Sequence, residues 1–103
     1  MPAAARADSI LGDTITTGHA CDETSIITGN LQSKVIINNI IAAVLGDPIA
    51  PHTILVGSVC VPHSAVVVGA SEKVFFENIR AARLTDGADG GVITSGSPDV
   101  IIG

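Results

Sequence analysis

Two segments of the chain repeat each other without a gap, and this repeat limits the fold more than any other feature. Residues 34–47 read KVIINNIIAAVLGD, and residues 73–86 read KVFFENIRAARLTD. The lysine, the first valine, an asparagine, the Ala-Ala pair, a leucine and the aspartate recur at a constant offset of 39 residues. Such self-similarity indicates a fold that is built from similar units packed against one another.

A third copy of this unit is divided between the two ends of the chain. Residues 97–103, SPDVIIG, resemble residues 71–77, SEKVFFE, and the Ala-Ala-Arg of residues 4–6 matches that of residues 81–83. Read circularly, the last strand leads into the first. The pattern predicts three similar β-units around a pseudo-threefold axis, with both termini on the same side, in a single domain that spans residues 1–103.

The composition predicts that these units are made of strands. The chain contains 14 Ile, 11 Val and 8 Thr, and such β-branched side chains suit pleated strands better than helices. Glycine or proline interrupts the sequence about every ten residues, which favours short strands between turns. We therefore predict an all-β fold. The apolar segment 38–46 is interpreted as two strands joined by a turn at Asn38 and Asn39, rather than as a helix.

An aspartate follows each Ala-Ala segment, and a variable excursion follows each aspartate. Asp13, Asp47 and Asp86 are interpreted as structural turn residues that accept backbone N–H bonds. All three histidines and both cysteines of the protein lie in the excursions. If the repeated units form a frame, we expect the excursions to converge at one end of it.

These histidines and cysteines are candidate metal ligands. They are His19, Cys21, His52, Cys60 and His63. His19 and Cys21 are two residues apart, so on a strand their side chains would share a face. Mixed histidine and cysteine sets are common in tetrahedral zinc sites, and a bound metal would also stabilise a core this small. The sequence predicts a metal site that uses four of these five residues and leaves open which four.

Other interpretations of the same residues stay open on the sequence alone. Each histidine could be a partly exposed loop residue, and each cysteine a small buried hydrophobic side chain. Cys60 and His63 could form a nucleophile and its base, but an i, i+3 spacing rarely gives that geometry. The glycine-rich segment 86–91 lacks the lysine and the following helix of a phosphate-binding loop. The sequence therefore does not predict an enzyme.

The charge balance is acidic, which argues against some classes of partner. Ten carboxylates stand against five Lys and Arg, and the chain has only two Phe and no Trp or Tyr. Nucleic-acid binding by phosphate neutralisation or base stacking is therefore not expected. The N-terminal residues are not typical of a signal peptide, and no uncharged apolar run approaches the roughly 18 residues of a membrane span. We expect a soluble protein made in the cytoplasm, with reduced cysteines.

The sequence resembles the PAAR-repeat proteins, a family named for proline-alanine-alanine-arginine. The resemblance covers essentially the whole chain: MPAAAR at residues 1–6, AAVLGDPIAPH at 42–52 and AARLTDGADGGVITSGSPDVIIG at 81–103. The GHAC of residues 18–21 and the CVPH of residues 60–63 resemble the short versions found in contractile-tail bacteriophages.

The resemblance implies a fold, a partner and a mechanical role. The fold would be a small β-cone with a metal at its point, and the base would bind the end of a trimeric β-helical spike. A monomer of this kind caps and sharpens the trimeric spike of a contractile phage tail, in the baseplate of the virion, and helps it to pierce the host outer membrane. The alternatives are a spike tip of a bacterial type VI secretion system and a stand-alone small metal-binding protein.

The resemblance also implies a ligand set. In that family the metal is commonly zinc, held by three histidines and one cysteine, and we keep iron as the alternative. The histidine positions correspond to His19, His52 and His63, whereas the cysteine is ambiguous between Cys21 and Cys60. Many members have a histidine before the double glycine of the last repeat, where this chain has Asp89. We therefore expect that the third unit has lost its ligand and that the first two units supply all four.

Overall fold

The strands of the protein are short and numerous, as the composition predicts. The computed structural model describes residues 2–103, so Met1 of the N-terminal MPAAAR segment lies outside the described residues. The eleven strands are β1 Arg6–Ala7, β2 Thr14–Thr16, β3 Thr24–Ile26, β4 Ile36–Ile37, β5 Ile40–Ala42, β6 His52–Val56, β7 Val59–His63, β8 Phe75–Phe76, β9 Ile79–Arg80, β10 Gly87–Ala88 and β11 Gly91–Val92. Residues 2–103 contain no helix, which confirms the all-β prediction.

No helix that is long and apolar enough to cross a membrane occurs among residues 2–103. The molecule is elongated, with principal extents of 41 × 23 × 22 Å.

Two-residue turns join the paired strands of the repeat. Asn38 and Asn39, between β4 and β5, have φ angles of 54° and 65°, and the equivalent Glu77 and Asn78 have φ angles of 52° and 68°. Left-handed φ at both central residues is the mark of the type I′ turn, whose twist matches that of antiparallel strands. The predicted turn at Asn38 and Asn39 is therefore confirmed.

The three Ala-Ala segments, residues 4–6, 42–44 and 81–83, pair with one another in a closed ring. Each is antiparallel to the next, and the register joins Arg6 to Ala42, Val44 to Ala81, and Arg83 to Ala4. A second closed ring lies further along the same segments, where Ile27 pairs with Ile49, Val67 with Ala88, and Ile93 with Ile15. The repeat in the sequence thus corresponds to three segments that pair cyclically in space.

Alanines fill the centre of the first ring. The Ala5 amide donates to the Ala82 carbonyl at 3.0 Å, Ala82 donates to Ala43 at 3.0 Å, and Ala43 donates to Ala5 at 2.9 Å. All three side chains are fully buried. Three backbones that approach one another this closely leave room only for small side chains, which explains why an Ala-Ala pair recurs in each segment.

Buried polar side chains hold the turns of each segment. Asp13, Asp47 and Asp86 accept hydrogen bonds from the backbone amides of Arg6, Val44 and Arg83 at 2.7 to 2.8 Å. This confirms their interpretation as structural turn residues. In the same way, the side chains of Gln32, Ser71 and Ser97 each accept bonds from the amides two and three residues later.

The hydrophobic core has two parts that follow one another along each segment. We call base core the cluster Ala4, Ile37, Ala42, Ala81 and Ile102, and upper core the cluster Ala5, Ala7, Ile15, Ile27, Ala43, Ile49, Val67, Ala82, Ala88 and Ile93. The chain passes from the base core to the upper core at each Ala-Ala pair. Beyond the upper core it enters the excursions that carry the histidines and cysteines.

Candidate metal centre

Each of the three excursions contributes to one cluster of polar side chains. His19 lies in the loop after β2, and His52 and His63 are the first residue of β6 and the last of β7. The β6–β7 register places His52 directly opposite His63. Asp89 occupies the turn between β10 and β11. The ring centroids of the three histidines lie 5.0 to 5.3 Å apart.

The loop of His19 and the turn of Asp89 fit together because glycines line their contact. The Gly18 amide donates to the Asp89 carbonyl at 2.9 Å. A Cβ atom at Gly18 would lie 2.5 Å from the Gly90 carbonyl oxygen, so no other residue fits there without movement of the backbone. Asp89 and Gly90 themselves have φ angles of 50° and 79°, which a type I′ turn requires.

All three histidines direct the same ring nitrogen at one carboxylate. His19 Nε2 lies 2.8 Å and His52 Nε2 lies 2.6 Å from Asp89 Oδ2, and His63 Nε2 lies 2.8 Å from Asp89 Oδ1. One ligand atom from each of the four residues lies within 4.8 Å of every other. The group can therefore hold a metal ion.

The hydrogen bonds of Nδ1 in two of the histidine rings show how the group fits a cation. His52 Nδ1 lies 2.8 Å from the Ala50 carbonyl oxygen, and His19 Nδ1 lies 3.2 Å from the Ala20 carbonyl oxygen. A carbonyl oxygen can only accept a hydrogen bond, so Nδ1 carries the hydrogen. In the neutral ring, Nε2 then bears a lone pair and no hydrogen. A lone pair that faces a carboxylate oxygen requires a proton or a cation between them. Histidine ligands of metals commonly have this second contact to a carbonyl.

The electrostatics of the metal-free cluster favour protons in place of that cation. Burial alone would raise the pKa of Asp89, but hydrogen bonds from His63, His19 and His52 outweigh it and lower that pKa to about 2. For His19, desolvation acts to lower the pKa, but the bonds to Asp89 and to the Ala20 carbonyl outweigh it, and the pKa is raised above its ordinary value of 6.5. The carboxylate of Asp89 is thus ionised among three imidazoles, an arrangement that favours a shared positive charge.

The two cysteines differ from their expected role as ligands. Cys21 and Cys60 are joined in a disulfide with a Cα–Cα distance of 6.0 Å, within the usual range for this bond. They are not part of the ligand group. The expectation of reduced cysteines, and of one thiolate at the metal, is not met in this structure, nor does Cys60 offer His63 a thiolate nucleophile.

The backbone explains why the cysteines turn away from the cluster. Cys60 and His63 lie three positions apart on β7, so their side chains point to opposite faces of the strand. Cys21 has a φ of 78°, and alternation from His19 does not apply because the segment is not a strand. Both cysteine side chains therefore meet on the side of the hairpin away from the histidines.

Asp89 corrects the expectation that the third unit has lost its ligand. The residue that stands where a histidine was expected provides both carboxylate oxygens to the cluster. The first two units supply the three histidines, and the third supplies the carboxylate. A signal was present in the sequence, because Asp89 lies in the third excursion and carboxylate oxygen is itself a zinc ligand.

The affinity for a metal is expected to fall as the pH falls through the histidine range. Histidine binds a metal only when neutral, and protons compete earlier at His19 because its pKa is raised. The metal-free chain should show the opposite trend: the stability that His19 contributes is fully present below pH 6.5 and is lost as the pH rises through its raised pKa. Thermal unfolding from pH 5 to 9, with and without zinc, measures both slopes. Parallel slopes would contradict this assignment.

Comparison with known protein families finds no family model that matches this chain, and comparison with curated proteins finds no similar protein.

Proposed function

We propose that this protein is a conical, PAAR-type tip that caps the trimeric β-helical spike of a contractile bacteriophage tail. In this proposal the wide base binds the spike, and a metal ion bound by His19, His52, His63 and Asp89 stabilises the point. The observation that carries the proposal is the threefold arrangement of the chain. An exposed apolar residue recurs at the same position in each of the three copies of the repeat, at the opposite end of the core from the ligand cluster.

Three equivalent side chains of the base are exposed to a similar extent. Ile36, Phe75 and Ile101 occupy the same position in the three copies of the repeat, and their exposed fractions are 60%, 53% and 59%. The following residue of each copy turns inward to the base core. We call these three exposed residues the apolar triad. Large exposed apolar side chains in a repeated pattern favour a partner that buries them.

The symmetry of the apolar triad matches that of a trimer. A single chain with three near-equivalent edges can contact each of three identical subunits in the same way. The closed rings at the Ala-Ala segments and at the upper core support a pseudo-threefold axis that continues the axis of such a partner. This favours a spike tip over a stand-alone metal-binding protein, which would have no use for the triad.

The order of the layers supports a point at the other end. The base core, the upper core and the ligand cluster follow one another along each segment, and the molecule is 41 Å long but only 22 to 23 Å wide. At a narrow end the chain has too little volume for an apolar core. A metal that links all three excursions replaces such a core, since its binding energy becomes folding energy.

Zinc is the metal that the donor set suits best, and iron is the alternative. Imidazole nitrogens and a carboxylate oxygen are ordinary zinc ligands in a tetrahedral site, and imidazole also suits iron. Four protein ligands fill the tetrahedral positions and leave none open for substrate, which favours a structural ion.

Binding to a spike tests the proposal directly. The protein is mixed with the C-terminal β-helical fragment of the trimeric spike protein from its own tail gene cluster, and light scattering measures the molar mass of the complex. We expect one chain per trimer. Phe75→Asp should weaken binding by at least about a hundredfold, because it buries an unpaired charge in an apolar contact.

Leu11→Asp is the matched control, because Leu11 is 64% exposed and lies outside the apolar triad. It should leave binding unchanged. Equal loss of binding in both variants, or no complex with the unaltered chain, would contradict the proposed docking through the triad.

A further inference from the structure

A covalent link joins the two segments that carry the three histidines. Cys21 lies two residues after His19, and Cys60 lies on β7 between the two strand ends that hold His52 and His63. The disulfide is thus the one covalent connection between the loop of the first excursion and the hairpin of the second, apart from the chain itself. All other links between them, within residues 2–103, are hydrogen bonds and contacts.

The loop that carries His19 depends on links of this kind. Besides the disulfide, two backbone bonds join it to the hairpin, from the Asp22 amide to the Thr53 carbonyl and from the Leu55 amide to the Ala20 carbonyl, both at 3.2 Å. The Asp22 carboxylate also accepts bonds from the Thr53 amide at 2.7 Å and from the Thr53 hydroxyl at 2.9 Å. Cys21 is held in the left-handed region with a φ of 78°, which is unfavourable for a residue other than glycine and persists only where the surroundings enforce it.

Solvent has access to the bond. Cys60 is exposed and Cys21 is half-buried, so a small thiol can approach without prior unfolding. The histidine rings lie on the other side of the hairpin, where His52 is buried. Chemistry at the disulfide can therefore change the position of His19 without direct contact with the ligand atoms.

We propose that the Cys21–Cys60 disulfide is a redox-sensitive clamp that holds the His19 loop in the geometry that the metal centre needs. This inference rests on the proposed metal centre. Reduction by two molecules of a thiol breaks the S–S bond, gives two cysteine thiols and releases the thiol as its own disulfide, so two electrons pass from reductant to protein. The freed loop relaxes from the strained φ at Cys21, and His19 leaves its position.

The clamp also works in reverse, because coupling between two equilibria is reciprocal. If the oxidised chain binds the metal more tightly than the reduced chain by a given factor, the bound metal makes the disulfide harder to reduce by the same factor. An oxidised, metal-loaded protein then resists both loss of metal and loss of the bond. A chain made in a reducing compartment would acquire this resistance only after oxidation.

The experiment compares zinc affinity in the two redox states of the full chain. Zinc is buffered with a competing chelator, and the chain is studied oxidised and after reduction by a phosphine. We expect the reduced chain to bind about tenfold to a hundredfold more weakly, the effect of removing an outer support of a metal ligand. The double variant Cys21→Ser, Cys60→Ser should bind as weakly as the reduced chain and should not respond to the phosphine.

Two further readouts separate a positioning role from a general loss of structure. Hydrogen exchange of the metal-free chain should speed up in residues 17–22 on reduction, while the amides of Ala5, Ala43 and Ala82 stay protected. In a dithiol redox buffer at fixed free zinc, the disulfide should become harder to reduce by the same factor as the affinity change. For variants that fold poorly without metal, the rate of zinc release is measured instead of the affinity. The zinc-loaded chain is folded before reductant is added, so this rate does not depend on refolding.

Equal zinc affinity in both redox states, or tighter binding after reduction, would overturn the clamp while leaving the metal centre intact. Failure of the metal centre is distinguishable, since zinc would then bind in neither state.

Discussion

His52→Ala is expected to abolish tight zinc binding and to lower the melting temperature of the zinc-loaded protein by about 20 °C. His52 is buried, and its Nε2 makes the shortest contact of the cluster, 2.6 Å to Asp89 Oδ2. A ligand bound to the folded state at a thousand times its Kd stabilises by about 4 kcal/mol, and 1 kcal/mol shifts the melting temperature of a domain of this size by about 4–8 °C. Calorimetry with and without a chelator measures both effects.

The control for this substitution is Glu23→Ala, since Glu23 is an exposed carboxylate close to the His19 loop that makes no side-chain contact with the cluster. It should leave zinc affinity and melting temperature almost unchanged. In excess chelator, the melting temperatures of His52→Ala and of the unaltered chain should differ much less than they do with zinc. A wild-type melting temperature for zinc-treated His52→Ala would contradict a structural metal.

Ala43→Leu is expected to destabilise the fold by about 3 kcal/mol or more, the upper end of overpacking effects. Ala43 is fully buried where its amide donates to Ala5 and its carbonyl accepts from Ala82. The added atoms would push apart the three backbones of the ring, and all three segments would lose their register together. Chemical denaturation measures the change in unfolding free energy.

Ala20→Leu is the matched control, because it adds the same atoms at an exposed alanine. Its unfolding free energy should stay within about 0.5 kcal/mol of the unaltered protein. If Ala43→Leu proved as stable as this control, the closed ring of alanines would not be the centre of the fold.

Local chemistry made the all-β class and the turns predictable. The β-branched composition and the Asn38-Asn39 pair carry their structural preference in the residues themselves, and the aspartates need only neighbouring amides as partners. The offset of 39 residues indicated which segments are equivalent. These features depend on short-range physics or on self-similarity, both of which are visible in a single sequence.

The membership of the ligand cluster could not be predicted in the same way. The spacing of Cys21 and His19 predicts side chains on one face of a strand, but a left-handed φ at Cys21 breaks the alternation on which that prediction depends. Cys60 and His63 diverge because β7 runs on as a regular strand through Pro62. The position of Asp89 in the third excursion was visible in the sequence, but its place in the cluster depends on the close approach of Gly18 and Gly90, a contact between residues far apart in the chain.

The most direct test of a three-histidine, one-carboxylate metal centre is X-ray absorption at the metal edge of protein purified without added metal. The account predicts about one zinc or iron per chain, with a first shell of nitrogen and oxygen atoms at about 2.0–2.2 Å. A sulfur neighbour at about 2.3 Å, or a preparation that contains no metal and takes up none, would contradict it.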